Sequence, residues 1–516
     1  MRAAQRFLRT LEGNAGRLLL EDARSGRRLT YDGFLGHSLA LAAVLRDRGL
    51  APGGFAVCCL ENRPELAVAY MAAWHAGAVV VPLHAAMHPR EIGAVLGRLA
   101  DPLLITDAAG LARLGDAGAI GPACRTLRLA AAAADDGFFL DLQAEPDPPG
   151  APERTVADTG DDETALVAFT SGSSGRPRGV RIRIGAMLGN ALAFGGVTGI
   201  DRDTRFYDTL PMTALGGLYN LMLLPMVHGG SLVLDDPFDA RSPAHFWERA
   251  RRFGVNSLWL NPTMLSMLLS RPDEGDAAFA RKEIRLACCG MAPLSPELKR
   301  RFEDRFGFSV LESYGLSETL FVTVVRPGAP AKPGSQGLPL PGVELVVADA
   351  AGTPQPAGVT GEICIRTPFL MAGMLGEGET RPGPNGFATV DLGSLDADGE
   401  LFVSGRLKDV IIRGGTLISP TVIEEAAHGL DMVEEAAAVG LPHPILGEEI
   451  ALAVSLRPGH VLALDALRDH LEANLAPRDR PRHLFFIDAM PRGLTGKVLK
   501  NVLRRLLVEK LAPFGS

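Results

Sequence analysis

The run Thr170-Ser171-Gly172-Ser173-Ser174-Gly175-Arg176-Pro177-Arg178-Gly179-Val180 is the densest concentration of chemistry in the chain. It follows the apolar stretch Ala165–Phe169, which reads as a buried strand. Its glycines let the backbone approach a ligand closely and turn N–H groups inward. Thr170, Ser171, Ser173 and Ser174 add hydroxyl donors, and Arg176 and Arg178 add positive charge. The combination suits a polyphosphate. Composition alone favours a flexible linker, which most Ser/Gly tracts are. The run is not a Walker A loop, because no Gly-Lys-Ser/Thr ends it.

Other segments turn this loop into a pattern. In chain order they are Leu29-Thr30-Tyr31, Glu61-Asn62-Arg63-Pro64-Glu65, and Ala76-Gly77-Ala78-Val79-Val80-Val81-Pro82-Leu83. After the loop come Gly290-Met291-Ala292-Pro293, Ser313-Tyr314-Gly315-Leu316-Ser317-Glu318-Thr319, Gly361-Glu362-Ile363 and Val390-Asp391-Leu392-Gly393. The last two are Ser404-Gly405-Arg406-Leu407-Lys408-Asp409 and Pro491-Arg492-Gly493-Leu494-Thr495-Gly496-Lys497. Singly, each has a plainer reading: Tyr314 as core, Glu318 as surface, Asp391 as a turn residue, Lys497 as a solvated lysine near a chain end. Together and in this order they resemble the adenylate-forming superfamily of acyl-CoA synthetases, peptide-synthetase adenylation domains and luciferases. The resemblance covers essentially the full chain. One departure stands out: Arg178 occupies the place of the family's usual Lys, keeping the charge but changing reach and geometry.

The resemblance implies a division of labour. Thr170, Ser171, Gly172, Ser173, Ser174, Gly175 and Arg178 would cradle the phosphates of ATP. Tyr314, within Ser313–Gly315, would pack on the adenine, with Gly290, Met291 and Ala292 bordering it from the other side. Glu318 would hold Mg²⁺, a cation that prefers hard oxygen ligands, and Thr319 would meet the phosphate. Asp391 would accept from both ribose hydroxyls, since a carboxylate has two oxygens for a vicinal diol. Arg406 would approach ribose or phosphate. Lys497 would reach the substrate carboxylate and α-phosphate and offset charge as pyrophosphate leaves. Lys408 would be the hinge about which a small C-terminal domain turns, bringing Arg413-Gly414-Gly415 toward the site for attack by a thiol. The implied reaction makes acyl-AMP from a small-molecule carboxylic acid, then passes the acyl group to CoA or to the phosphopantetheine of an acyl or peptidyl carrier protein. Transfer to an amine, AMP activation of another oxyanion, and a catalytically inactive nucleotide-binding module are the alternatives.

The acid pocket is the thinnest part of the reading. The stretch Leu210–Asn220 lies where relatives build it. Here Thr213 and Ala214 stand where many fatty acyl-CoA synthetases carry an aromatic residue and a His. No Phe-Asp-x-Ser segment offers a carboxylate for an ammonium, and Asp208 is displaced in register. An ordinary α-amino acid is disfavoured, because a buried cation without a partner is costly. Thr213, Gly217, Asn261 and Cys289 are the candidate lining residues.

The elements that must position these residues follow from periodicity. Phe55–Leu60, Ala78–Leu83, Leu103–Thr106, Ser231–Leu234, Ser257–Leu260 and Ile284–Cys288 read as buried strands. Pro64–Ala76, Pro89–Leu99 and Pro296–Phe306 read as helices with proline near their starts. Leu35, Leu39, Ala42 and Leu45 share one helical face. Such alternation predicts an α/β fold with largely parallel sheets. Ala144–Asp162 reads as an exposed linker, and the strands Val343–Ala348 and Gly361–Arg366 predict a small β-rich subdomain at about 330–405. The expected organisation is an N-terminal domain over 1–406 and a small mobile α/β domain over 407–516. With 516 residues, several domains are the default.

Composition excludes other classes. A net charge of −8 with no long basic block argues against a nucleic-acid partner. No signal-peptide core and no apolar run of spanning length occurs, so the expected location is the cytoplasm. Adjacent Cys58-Cys59 and Cys288-Cys289 lie in apolar runs and would point to opposite faces, as buried thiols rather than joint metal ligands. Oligomeric state has no signature in the sequence.

Overall fold

The computed structural model describes residues 1–129, 154–170, 178–271, 274–330, 332–407, 409–414, 416–492 and 498–511. It is a mixed α/β protein with a large N-terminal and a small C-terminal part. The nine-stranded sheet has the order Leu338–Pro339, Leu320–Val324, Leu311–Leu316, Leu286–Cys289, Ser257–Leu260, Arg205–Asp208, Ser231–Leu234, Leu18–Asp22, Arg28–Thr30. The strands from Leu311–Leu316 through Leu18–Asp22 run parallel, and the flanking ones antiparallel. The seven-stranded sheet has the order Gly373–Met374, Arg178–Arg183, Thr164–Thr170, Val79–Pro82, Phe55–Cys59, Leu103–Thr106, Arg125–Arg128. Its strands Val79–Pro82 and Leu103–Thr106 are wholly buried, as expected where both sheet faces are covered.

The expected strands form within a residue or two of their predicted ends. The helices Pro64–His75, Pro89–Leu96 and Pro296–Phe306 begin at their prolines, where a missing N–H costs nothing. Pro296–Phe306 is capped by Ser295 Oγ on the Leu298 N–H and stopped by Gly307 at φ 75°. Two expectations need correction. Tyr31–Asp47 is helical, but Phe34, His37, Ser38, Leu41 and Leu45 are buried with Ala42, while Leu35 and Leu39 are only half-buried. The predicted face was rotated because Tyr31 and Phe34, the largest apolar groups, set the buried side. The described end of the expected linker, from residue 154, is docked rather than exposed. Val156 is buried and its N–H donates to His75 Nδ1 (3.1 Å), while Asp161 accepts from the Ala3 N–H (3.0 Å). Residues 144–153 lie outside the described residues.

A four-stranded antiparallel sheet follows, ordered Glu344–Ala348, Gly361–Arg366, Phe387–Leu395, Leu401–Arg406. Beyond it, Thr416–Ile418, Ile411–Arg413, Gly447–Leu456 and Val433–His443 form another sheet, with His483–Phe486 parallel to Gly447–Leu456. The main buried apolar cluster, which includes residues of the four-stranded sheet, ends at Leu401, and the cluster packing the last sheet begins at Ile411.

Candidate functional site

Parallel sheets open clefts at the carboxyl ends of their strands where connections leave in opposite directions. The strand Arg205–Asp208 marks such a point. Its outgoing connection leads to Ser231–Leu234 on one side, and the next connection crosses back to Ser257–Leu260 on the other. The candidate residues Thr213, Asn261, Gly290–Ala292 and Ser313–Gly315 follow or end the strands along this edge.

Two of these segments are pinned together by an absent side chain. A Cβ at Gly290 would sit 2.9 Å from Ser313 Oγ and 3.3 Å from Ser313 O. Ser313 Oγ in turn donates to the Cys289 carbonyl (3.3 Å). Met291 then turns at φ 75°, a left-handed value uncommon for a residue with a side chain. Its thioether reaches Gly216: Sδ and Cε lie 3.3 Å from where a Gly216 Cβ would be.

On the other side, the chain enters a corner at Val390, whose φ of 57° is a strained conformation for a β-branched residue. The Val390 N–H donates to Glu362 Oε1 (2.9 Å), which holds that corner. The next residue, Asp391, is buried and accepts from the Tyr314 hydroxyl through Oδ2 (2.7 Å). Burial first, and then the Asp391 charge, push the Tyr314 phenol well above its ordinary range. Arg406 lies opposite Asp391 in the antiparallel pair, with Nε 2.7 Å from Oδ1. Oδ1 makes no hydrogen bond besides this ion pair, so the carboxylate keeps acceptor capacity. A ribose hydroxyl can use that capacity, so the residues fit a nucleoside ribose.

Glu318 sits in the turn between the paired residues Leu316 and Leu320, half-buried. Among the described residues its carboxylate makes no hydrogen bond or ion pair. Its carbonyl accepts from the Met371 N–H (2.7 Å), which fixes the turn. Among the described residues no group of three or more His, Cys, Asp or Glu could hold a metal. A single open carboxylate is what Mg²⁺ requires when substrate phosphates and water supply its other ligands. Thr319 is fully buried in this tight turn, and its hydroxyl donates to the Leu320 carbonyl (3.5 Å).

The strands on either side of the Ser/Gly run form a hairpin that periodicity did not reveal. Thr164–Thr170 and Arg178–Arg183 are antiparallel, and Thr170 pairs with Arg178. Ser171, Gly172, Ser173, Ser174, Gly175, Arg176 and Pro177 lie outside the described residues, as do Lys408, Gly415 and Lys497. Arg178 is exposed at the loop's exit, 3.6 Å from Glu377.

The acid-pocket candidates divide. The segment after Leu210 leads into a π-helix, Gly216–Leu223, buried along its whole length. A Cβ at Gly217 would lie 2.5 Å from the Pro211 carbonyl, so Gly217 serves close backbone packing and does not open space for a bulky acid. Asn261 Oδ1 caps the helix Pro262–Leu269 by accepting from the Met264 N–H (2.9 Å). Cys289 is buried, and burial pushes its thiol well up, so it packs without ionising. Thr213 is half-buried. Asp208 is fully buried; burial raises its pKa well above the ordinary value, and Oδ2 has no hydrogen-bond partner. A cavity of about 330 Å³ lined by Tyr207, Thr209, Asp235 and Arg249 also lies at this sheet edge, but contains none of the candidate residues.

Residues 7–375 match the family model for AMP-binding enzyme, and residues 422–497 match the model for AMP-binding enzyme C-terminal domain. A sulfoacetate–CoA ligase of Cupriavidus necator is 33% identical over 489 residues, covering 92% of each chain. A feruloyl-CoA synthase of Amycolatopsis sp is 30% identical over 490 residues, covering 93% of this chain and 94% of that protein. The crystal structure of ATP-bound MatB from Rhodopseudomonas palustris superposes with a TM-score of 0.86 at 27% identity, over 98% of this chain and 99% of that one.

Proposed function

The chain belongs to the AMP-binding enzyme family, and from that premise we propose how its residues carry out ATP-dependent activation of a carboxylic acid and transfer of the acyl group to CoA. It is an acid–thiol ligase of the adenylate-forming superfamily. The reading of this particular site rests on one observation above the others: the buried Asp391 carboxylate, bonded to the Tyr314 hydroxyl through Oδ2 and ion-paired with Arg406 through Oδ1, keeps acceptor capacity for further donors. Those donors are the two ribose hydroxyls.

In this reading the adenosine lies between Tyr314 and the Gly290–Ala292 turn, with its ribose on Asp391. The loop 171–177 and Arg178 hold the phosphates, Thr170 flanks them, and Glu318 is the protein ligand of Mg²⁺, which would neutralise phosphate charge when bound. The acid's carboxylate attacks the α-phosphorus and pyrophosphate departs. Lys497 steadies the developing negative charge. No protein nucleophile is needed, so catalysis is positioning and electrostatics. The units 1–406 and 407–516 then reorient about Lys408, and a thiolate displaces AMP from the mixed anhydride. CoA is the proposed thiol, in keeping with the relatives' names. Six unpaired cysteines and a reaction that uses ATP support a cytoplasmic location.

The test is ATP–pyrophosphate exchange over a panel of sulfonated, dicarboxylic, aryl and fatty acids, followed by CoA capture of the best acid. Acid-dependent exchange and a CoA thioester are expected. No exchange with any acid would leave a non-catalytic nucleotide binder, and capture only by an amine would replace the thiol acceptor.

A further inference from the structure

The strand ends Asp208 and Leu234 are paired, with the Asp235 N–H donating to the Asp208 carbonyl (3.0 Å) and, further on, the Phe238 N–H to the Thr209 carbonyl (2.8 Å). The Leu210 and Asp235 carbonyls are bridged instead by the buried side chain of Asn62. Its Nδ2 donates to the Leu210 carbonyl (2.8 Å) and to the Asp235 carbonyl (3.1 Å). Its Oδ1 accepts from the Met212 N–H (2.8 Å). The amide thus behaves as a surrogate strand residue supplied by the other sheet, since Asn62 lies just past the strand Phe55–Cys59. Tyr70, from the helix Pro64–His75, donates its hydroxyl to the Met212 carbonyl (3.1 Å). Both polar groups of the Met212 peptide unit are therefore satisfied by side chains from one short N-terminal stretch. Met212 is fully buried, so neither group can turn to water instead.

From its other side the same segment is held by backbone. The Pro211 carbonyl and Met212 Cα lie 2.5 and 2.6 Å from where a Gly217 Cβ would be. Leu210 Cδ1 and the Met291 thioether converge on Gly216. A shift of Met212 would therefore move the segment Met212–Gly217 that it packs against.

We propose that Asn62, seconded by Tyr70, is a positioning residue that sets the wall of the carboxylic-acid pocket, the stretch Met212–Gly216. It touches neither substrate. This rests on the activity proposed above. Glu61–Glu65 thus has a role beyond starting a helix.

Asn62→Ala and Tyr70→Phe are compared with the wild type in pyrophosphate exchange, using the acid that exchanges fastest in the panel. The expected result is a rise in KM for the acid of tenfold or more for Asn62→Ala and about threefold for Tyr70→Phe, the latter being the loss of one neutral hydrogen bond. KM for ATP should stay within twofold in both. An unchanged acid KM in the folded variants overturns the proposal, as does an equal rise in both KM values, which would mark a merely structural role. If Asn62→Ala fails to fold, Tyr70→Phe decides alone by the same criterion. A wild type that exchanges no acid refutes the activity itself, and an active wild type with unaffected variants refutes only the positioning.

Discussion

Replacing Asp391 by Asn tests the nucleoside cradle at the atom that defines it. The change keeps size and shape, removes the charge, and puts an NH₂ donor where one acceptor stood. A hydrogen bond to a charged group contributes about 1.5–3 kcal/mol net. Oδ2 already accepts from Tyr314 and Oδ1 faces Arg406 at 2.7 Å, so each ribose hydroxyl competes with existing partners. The lower end, about 1.5 kcal/mol per hydroxyl, is therefore the appropriate magnitude. For two hydroxyls that totals about 3 kcal/mol, or roughly a hundredfold rise in KM for ATP at about 1.4 kcal/mol per decade. The decisive assay adds 2′-deoxy-ATP and 3′-deoxy-ATP. Wild-type enzyme should disfavour each by roughly tenfold in kcat/KM, about 1.4 kcal/mol. Asp391→Asn should discriminate far less. If the variant still prefers ATP over both deoxy analogues as strongly as the wild type does, Asp391 does not hold the ribose and the assignment of the cradle fails.

Lys497→Ala should lower pyrophosphate exchange by about a hundredfold or more, the scale for removing a transition-state charge donor, with ATP affinity nearly intact; exchange at the wild-type rate would remove Lys497 from the reaction. Gly290→Ala forces a Cβ to 2.9 Å from Ser313 Oγ and 3.3 Å from its carbonyl. It should cost about 1–3 kcal/mol of stability, the usual range for overpacking, read by denaturant unfolding, and should weaken ATP binding. Asp208 has a folded pKa raised by burial, so its carboxyl holds the proton more tightly in the folded than in the unfolded chain. Its contribution is full below the ordinary carboxylate pKa and is lost as pH rises toward the folded pKa, at up to about 1.4 kcal/mol per pH unit. Asp208→Asn should therefore gain on the wild type as pH rises from 5 to 8 in unfolding experiments, and parallel curves would show that Asp208 is not protonated when folded.

Much of this was legible in order along the chain. The proline-started helices and apolar strands needed no tertiary information, because a missing N–H and a run of Val, Ile and Leu have the same consequence in any context. The family followed from motifs whose residue types match their chemistry. Contacts across the fold were not legible. Gly217 was legible as a lining candidate, but not that the Pro211 carbonyl lies 2.5 Å from where its Cβ would be. Nor was the burial of Thr319 in the turn between Leu316 and Leu320 legible.

Asn62 shows the boundary most clearly. Local sequence is enough to place an amide after the strand Phe55–Cys59 and before a proline-started helix. That this amide crosses to a second sheet and bonds Leu210, Asp235 and Met212, more than a hundred residues away in the chain, follows from the packing of the two sheets. Periodicity reports which face of an element meets the core. It holds no record of which distant backbone groups are left without ladder partners, and those unsatisfied groups give a buried side chain like this one its task.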